Sequence, residues 1–267
     1  MSVSKNSWDV PEDWEREYLD VCLKASKYDA LFSNFKSNES FRRILEHANK
    51  YQAMECCDNI CEIDPKFLTD YPEVWQNDEV GNPIRFVIGN QHTRVTASPT
   101  TLQYLYVAAS LSYFFGKENI SNFKILEIGG GYGGQCKIIN DIFSFKEYDI
   151  VDLAEVGELQ RRYLQEFDLE EKVNIYSPSN YKKNYDYDLV ISNYALSEIT
   201  EPLGTAYVND LVLPSARGYI TCNGDMPHTN LLIEKSPQKI NDLVTQRHGN
   251  YVLVWNNSSD VQTFGSK

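Results

Sequence analysis

A cluster of residues between positions 127 and 134 concentrates the chemistry of this chain: Glu127, then Gly129, Gly130 and Gly131, Tyr132, and Gly133 and Gly134. The apolar run Ile125-Leu126 leads into Glu127-Ile128, and Cys136, Ile138, Ile139, Ile142 and Phe143 recur afterwards at helical spacing. That pattern predicts strand, tight turn, helix. Glycines let the turn take positive φ and bring a ligand against the main chain. The helix that opens next presents unpaired N–H groups and partial positive charge, which suit anionic groups. A second acid, Asp152, ends the next apolar run, Tyr148-Asp149-Ile150-Val151. Roughly two dozen residues past a glycine loop, a carboxylate can accept hydrogen bonds from both hydroxyls of a ribose; the alternative is a helix N-cap.

Two cofactor patterns overlap here. Gly129, Gly131 and Gly134 satisfy the dinucleotide fingerprint G-x-G-x-x-G. Glu127, Gly129, Gly131 and Gly133 satisfy acidic-x-G-x-G-x-G, and this stretch resembles the first motif of class I S-adenosylmethionine (SAM) methyltransferases. Glu127 separates the two, because a buried strand that closes on a carboxylate is costly unless the charge has a use. The resemblance implies that Glu127, Gly129, Gly131, Tyr132 and Gly133 hold the methionyl part of SAM, and that Asp152 and Leu153 take its ribose. It also implies adenine contacts at Ser177-Pro178-Ser179-Asn180, where many relatives carry an Asp and this chain does not, and it sets Asn193 and Tyr194 toward the transferable methyl group.

The elements that must position these groups follow from periodicity. Strands are expected at 124–128, 148–152, 173–176, 188–192 and 218–222, with helices near 155–167, 204–213 and 236–248 and a closing strand pair at 251–255 and 261–264. Alternation of this kind predicts an α/β fold: a Rossmann-like class I methyltransferase sheet, mostly parallel with an antiparallel last strand, and ligands beyond the carboxyl ends of the strands. Ser98-Pro99 starts a helix that runs to Phe115-Gly116, and Ile84 to Ile88 reads as a strand. Upstream the chain reads as helical, with a first helix from Pro11, a second around Ser40 to Ala48 and a third opened by Asp64-Pro65. The expected division is a mainly helical region, 1–95, acting as substrate lid or dimerisation surface, and a SAM-binding domain, 96–267.

Composition bounds the function. The 267 residues carry a formal net charge of -13, which argues against a nucleic-acid backbone as principal substrate, since phosphate binding relies on Lys and Arg. No apolar run is long enough to span a membrane, and Met1 to Asn6 lacks an apolar signal core. Six cysteines without a secreted framework imply a reducing cytoplasm. Cys57 and Cys61 lie one helical turn apart with no second ligand pair at zinc spacing, so thiols on a helix, largely buried, are the expectation.

The acceptor side is expected around Glu198, one helical turn beyond Tyr194, and in the loop Asn223-Gly224-Asp225-Met226-Pro227-His228. His228 beside Asp225 suggests a base and its orienter, with Asp225 and Glu198 as alternates; a histidine without a role is the competing reading. His92 is placed to reach the same mouth, and His47 reads as a helix-face residue. A divalent ion that acidifies a hydroxyl is an alternative that no compact motif compels, and no metal ligands are assigned.

Glu127 to Gly134, Asp188 to Glu198, Asn223 to His228 and Thr96 to Tyr104 together resemble the sugar O-methyltransferase family of bacterial surface-glycan loci, over roughly residues 80–265. That resemblance implies methyl transfer to a hydroxyl of a carbohydrate or nucleotide sugar, in a protein that the helical N-terminal part could pair into a homodimer. An NAD-dependent sugar oxidoreductase, a non-catalytic SAM-binding protein, and a methyltransferase acting on a non-sugar acceptor stay open as rivals.

Overall fold

In the computed structural model the described residues are 13–89, 93–183, 185–223, 227–235, 244–245 and 251–256. Two short strands, β1 (Phe86–Ile88) and β2 (Val95–Ala97), form an antiparallel pair ahead of the main sheet. The main sheet then takes β3 (Lys124–Ile128), β4 (Glu147–Val151), β5 (Val173–Tyr176), β6 (Leu189–Asn193), β7 (Arg217–Cys222), β8 (Val244–Thr245) and β9 (Tyr251–Asn256). Its spatial order is β5-β4-β3-β6-β7-β9-β8. The first five strands of that order run parallel, and β9 lies antiparallel to β7. This is the expected Rossmann-like methyltransferase arrangement, with the last strand reversed and inserted inside the edge.

Burial on both faces explains why the strands read as unbroken apolar runs. On one face Ile125, Ile150 and Leu189 pack with the helices Pro99–Phe115, Gly134–Phe143 and Ala154–Gln165. On the other, Leu126, Ile128, Val190 and Leu253 pack with Leu196, Tyr207, Val208 and Leu232. The reversed strand is keyed at Gly218, which pairs with Trp255: a Cβ at Gly218 would stand 1.9 Å from the indole ring.

Two expectations near the C-terminus need correction. The partner of Tyr251–Asn256 is Val244–Thr245, in antiparallel register, where a helix over 236–248 was expected. Residues 261–264, the expected partner, lie outside the described residues. The 204–213 helix is present as Leu203–Tyr207, continued by a π turn at Val208–Val212.

Upstream, the helix Asp13–Ala25 agrees with the periodicity, but the stretch from Ser40 makes only a single turn, Glu39–Arg42. His47, expected on a helix face, therefore sits in the loop before the next helix. That helix is Lys50–Ile63, started by a capping box of Asn49 and Gln52 and carrying Cys56, Cys57 and Cys61. Cys57 is buried and the other two are half-buried. Asp64-Pro65 opens a short 3-10 turn, Pro65–Leu68, instead of a third helix.

The upstream segments share one hydrophobic core with the sheet. Phe35 and Phe41 pack on Tyr132 at ring separations of 5.7 and 6.4 Å. A buried polar network ties the same parts together. Asp78 accepts from Ser98 N at 2.5 Å, Ser98 Oγ at 2.7 Å and Thr101 Oγ1 at 2.6 Å, while Asn77 Nδ2 donates to Thr101 Oγ1 at 2.5 Å and to Tyr132 OH at 3.0 Å. Low local dielectric strengthens such bonds and makes each loss expensive. Asp78→Ala strands three donors and is expected to destabilise the chain by about 3 kcal/mol in urea unfolding; a loss below about 1 kcal/mol contradicts the network's role.

Candidate active site

The strand order reverses between β3 and β6, and a ligand crevice belongs at the carboxyl ends of strands at such a point. A cleft of about 470 Å³, its open mouth included, lies there. Its lining comprises Ile128 and Gly129 from the end of β3, Val151, Asp152 and Leu153 from the end of β4, Pro178 after β5, and Ala195, Glu198, Ile199, Leu203 and Tyr207 after β6.

The glycine turn is shaped by contacts on both sides. Gly129 has φ +76°, and a Cβ there would stand 2.1 Å from Ala195 Cβ, so the β3 and β6 corners meet only because it has no side chain. Ser192 reinforces that meeting: its Oγ donates to Ile128 O at 3.0 Å and accepts from Leu196 N at 3.0 Å. Gly133, at φ +96°, is the left-handed cap of the helix that follows.

Asp152 closes the turn from the other side. Its Oδ2 accepts from Gly131 N at 3.1 Å and Gln160 Nε2 at 2.8 Å, and its Oδ1 accepts from Leu153 N at 2.8 Å. Those three bonds leave acceptor capacity on a carboxylate that remains half-buried in the cleft. Burial pushes its pKa up to about 7 despite the donors around it. Glu127 lies beneath the turn, 1% exposed, with Tyr148 OH donating to its Oε2 at 2.9 Å. Burial, opposed by that bond, raises its pKa to about 8.

Of the other sequence-predicted residues, Leu153 and Glu198 line the cleft. Ser177 and Ser179 flank the cleft residue Pro178, with their hydroxyls bonded to each other at 2.8 Å. Asn193 Nδ2 donates to Gln135 Oε1 at 3.2 Å, while its buried Oδ1 has no partner among the described residues. Tyr194 holds φ +69° at the corner after β6, a strained conformation of a kind that collects at functional sites. Glu198 is exposed at the mouth and accepts from Asn223 Nδ2 at 2.5 Å; nearby chain excludes enough water to raise its pKa against that bond.

Two side chains turn elsewhere. Tyr132 is fully buried, its ring among Phe35, Phe41, Tyr104 and Tyr163 and its hydroxyl on Asn77, so only its backbone belongs to the turn. His228 is likewise fully buried, with Nε2 donating to Leu196 O at 2.6 Å and Nδ1 3.2 Å from Glu201 Oε1. A ring with both nitrogens engaged offers no free face to an acceptor hydroxyl. Asp225 and His92 lie outside the described residues. Among the described residues, no group of three His, Cys, Asp or Glu side chains could hold a metal, and no helix is long and apolar enough to cross a membrane.

Sequence reasoning missed Ala195, Ile199, Leu203 and Tyr207. They follow β6 as ordinary apolar residues, and only the φ +76° turn opposite marks the corner they fill.

No family model matches the sequence, and no curated protein does. Solved structures with a similar chain path include proteins described as methyltransferases. A protein of Methanococcus maripaludis assigned as an S-adenosyl-L-methionine-dependent methyltransferase is 13% identical, with 80% of this chain and 98% of that one covered and a TM-score of 0.41. PigF with SAH is 10% identical over 57% of this chain and 56% of that one, at a TM-score of 0.39. The methyltransferase domain of bacterial CtHen1-CN is 16% identical over 46% of this chain and 65% of that one, at 0.38. The chain thus spans less than two thirds of the length of the latter two. Likenesses this distant decide nothing about activity; the strand order itself establishes the fold.

The raised carboxyls fix the sign of the pH dependence. Glu127 and Asp152 move from ordinary values of 4.5 and 3.8 to about 8 and about 7, so the folded chain binds more protons than the unfolded one across that interval. Stability of the ligand-free protein should therefore fall as pH rises from about 5 to about 8. The expected readout is a Tm that declines over this range and declines less in Glu127→Gln; a Tm that climbs contradicts the assignment.

Proposed function

We propose that the chain is a SAM-dependent O-methyltransferase that acts on a hydroxyl of a carbohydrate or nucleotide sugar, in cell-surface polysaccharide or nucleotide-sugar biosynthesis. The observation that carries the methyltransferase part of this reading is β9, reversed and inserted between β7 and β8; the carbohydrate acceptor is what the sequence resemblance implies. A dinucleotide-binding dehydrogenase of the two-half type continues its sheet in the order 3-2-1-4-5-6, and this chain departs from that order at the sixth position.

The residues present fit SAM. Asp152 keeps acceptor capacity for the ribose hydroxyls, the main chain at Gly129 lines the cleft where an amino-acid tail would lie, and Leu153 and Pro178 supply an apolar slot for adenine. The orphaned Asn193 Oδ1 at the tip of β6 needs a donor or a positive group, which the cationic end of SAM would provide. When bound, SAM supplies a methyl carbon already activated by the sulfonium. The protein has left to align the acceptor, exclude water and accept a proton. Glu198 is the acidic group at the mouth, held by Asn223, and is placed to orient an incoming hydroxyl. Residues 1–95 act as the lid: the Leu45 side chain reaches within 3.1 Å of where a Gly131 Cβ would stand.

Calorimetry with S-adenosylhomocysteine and with NAD⁺ tests the reading. The expected result is binding of the first alone, weakened at least about 100-fold in Asp152→Ala, which removes the ribose acceptor and the clasp on the turn together. Binding of NAD⁺ alone overturns it. Hydroxyl donors favour the ionised form of Asp152, so binding should release a proton, and affinity should rise between about pH 5.5 and about pH 7.5. Titrations in buffers of different ionisation enthalpy measure that proton directly.

A further inference from the structure

A second cavity, of about 440 Å³ with its open mouth included, is lined by Arg42, Glu46, His47, Ile84, Phe86 and Pro99, together with Ala48 and Asn49. It belongs to the upstream segments, and two observations join it to the glycine turn. Leu45, next to Glu46 in the chain, packs against Gly131, and Thr100 Oγ1 donates to Leu45 O at 3.2 Å.

Two polar groups in this cavity are prepared for a ligand. Glu46 is 7% exposed; its Oε2 accepts from Thr100 Oγ1 at 2.8 Å, while its Oε1 has no partner among the described residues. A buried carboxyl oxygen without a donor is costly to keep, so the site is complete only when something donates to it. His47 is exposed, and its Nδ1 lies 2.9 Å from Ile44 O. A carbonyl oxygen only accepts, so Nδ1 carries the proton and Nε2 presents a lone pair. Beside Arg42 and Asn49, part of the wall is apolar: Ile84 is 45% exposed, and Phe86 and Pro99 also line it.

Charge narrows the occupant. Lys36 and Arg42 both act on Glu46, so a cationic ligand would meet positive charge already in place. An anion would meet Glu46 itself. A neutral ring with several hydroxyls and a C–H face fits both the free carboxyl oxygen and the apolar wall.

We propose that this cavity is the acceptor pocket, that it takes a neutral polyhydroxylated ring whose hydroxyl donates to Glu46 Oε1, and that His47 Nε2 is the base for the reacting hydroxyl. The inference rests on the methyltransferase reading. The acceptor oxygen forms its bond to the methyl carbon as the sulfur–carbon bond breaks, and the sulfur keeps that electron pair. The hydroxyl proton passes to His47 Nε2 and from there to solvent, which the exposed imidazole reaches.

Saturation-transfer NMR tests the pocket on the full chain with saturating S-adenosylhomocysteine and a mixture of D-glucose, D-galactose, D-mannose, L-rhamnose, D-glucuronate and glycine betaine. The expected result is transfer to one or more neutral sugars, and to neither glucuronate nor betaine. That signal should be lost in Glu46→Ala and in Ile84→Trp, which fills the cavity from its exposed side and leaves the buried network untouched. Affinity for S-adenosylhomocysteine should stay within about 3-fold of wild type in Ile84→Trp. Absence of transfer in the wild type, preference for betaine or glucuronate, or transfer that survives both variants overturns the pocket. Failure to bind S-adenosylhomocysteine at all sinks the methyltransferase reading instead, and calorimetry reports it separately.

For His47, production of S-adenosylhomocysteine from SAM is followed with whichever sugar gives transfer. His47→Ala should lower turnover at least about 100-fold, with sugar and S-adenosylhomocysteine binding retained and partial rescue by added imidazole. Turnover within about 3-fold of wild type, or a loss that imidazole leaves unchanged, removes His47 as the base.

Discussion

The structure turns on one carboxylate and the three donors that meet it. Asp152 stands one residue past β4 and accepts from Gly131 N, Leu153 N and Gln160 Nε2. The glycine turn has no side chains of its own to hold its shape, since every residue from 129 to 134 except Tyr132 is glycine. Its conformation has to be imposed from the neighbouring strand, and Asp152 imposes it. Gln160 completes the clasp by also donating to Gly131 O at 2.8 Å. A carboxylate so placed must be kept partly out of water, which raises its pKa, and must keep acceptor capacity toward the cleft. The group that shapes the turn is thus the one that would recognise a ribose.

That clasp has a counterpart beneath it. Glu127 is buried under the turn with Tyr148, and its raised pKa means that folding favours the neutral acid at neutral pH. In the ligand-free chain the acid of the motif therefore lies under the turn as a hydrogen-bonded neutral group. The Asp152 charge adds to the effect of burial on Glu127, and the two carboxyls divide by exposure: the buried one lies under the turn and the half-buried one faces the cleft.

How far the sequence could be read follows from the range of each signal. The parallel strands were legible because burial on both faces leaves unbroken apolar runs, and 173–176 and 124–128 have the expected bounds. Asp152 was legible because a strand tip fixes its place. Tyr132 was not, because neighbouring backbone angles decide whether a side chain in a glycine turn faces the ligand or the core. The surroundings of His228 were not legible for the same reason: proximity to a strand end in sequence says nothing about the Leu196 carbonyl and the Glu201 carboxylate that enclose it. The strand at Val244–Thr245, inside the stretch expected as a helix, was not legible, since it carries too few residues for a period to show.

The upstream region was the least legible, and it holds the groups that distinguish this chain from a bare cofactor-binding sheet. Lys36 is fully buried, donates to Asn77 O at 2.5 Å and stands 4.1 Å from the Tyr132 ring centre, with burial lowering its pKa to about 8. In the sequence it is one lysine in a polar stretch. A buried ammonium is tolerated only where aromatic faces and an acid offset its lost hydration, and here Tyr132 and Glu46 do so. Lys36 therefore couples the underside of the glycine turn to the acid of the second cavity. The packing of the described upstream residues on the glycine turn includes that coupling: separate the two parts, and a charge, a carboxyl and the Tyr132 ring all lose their partners at once.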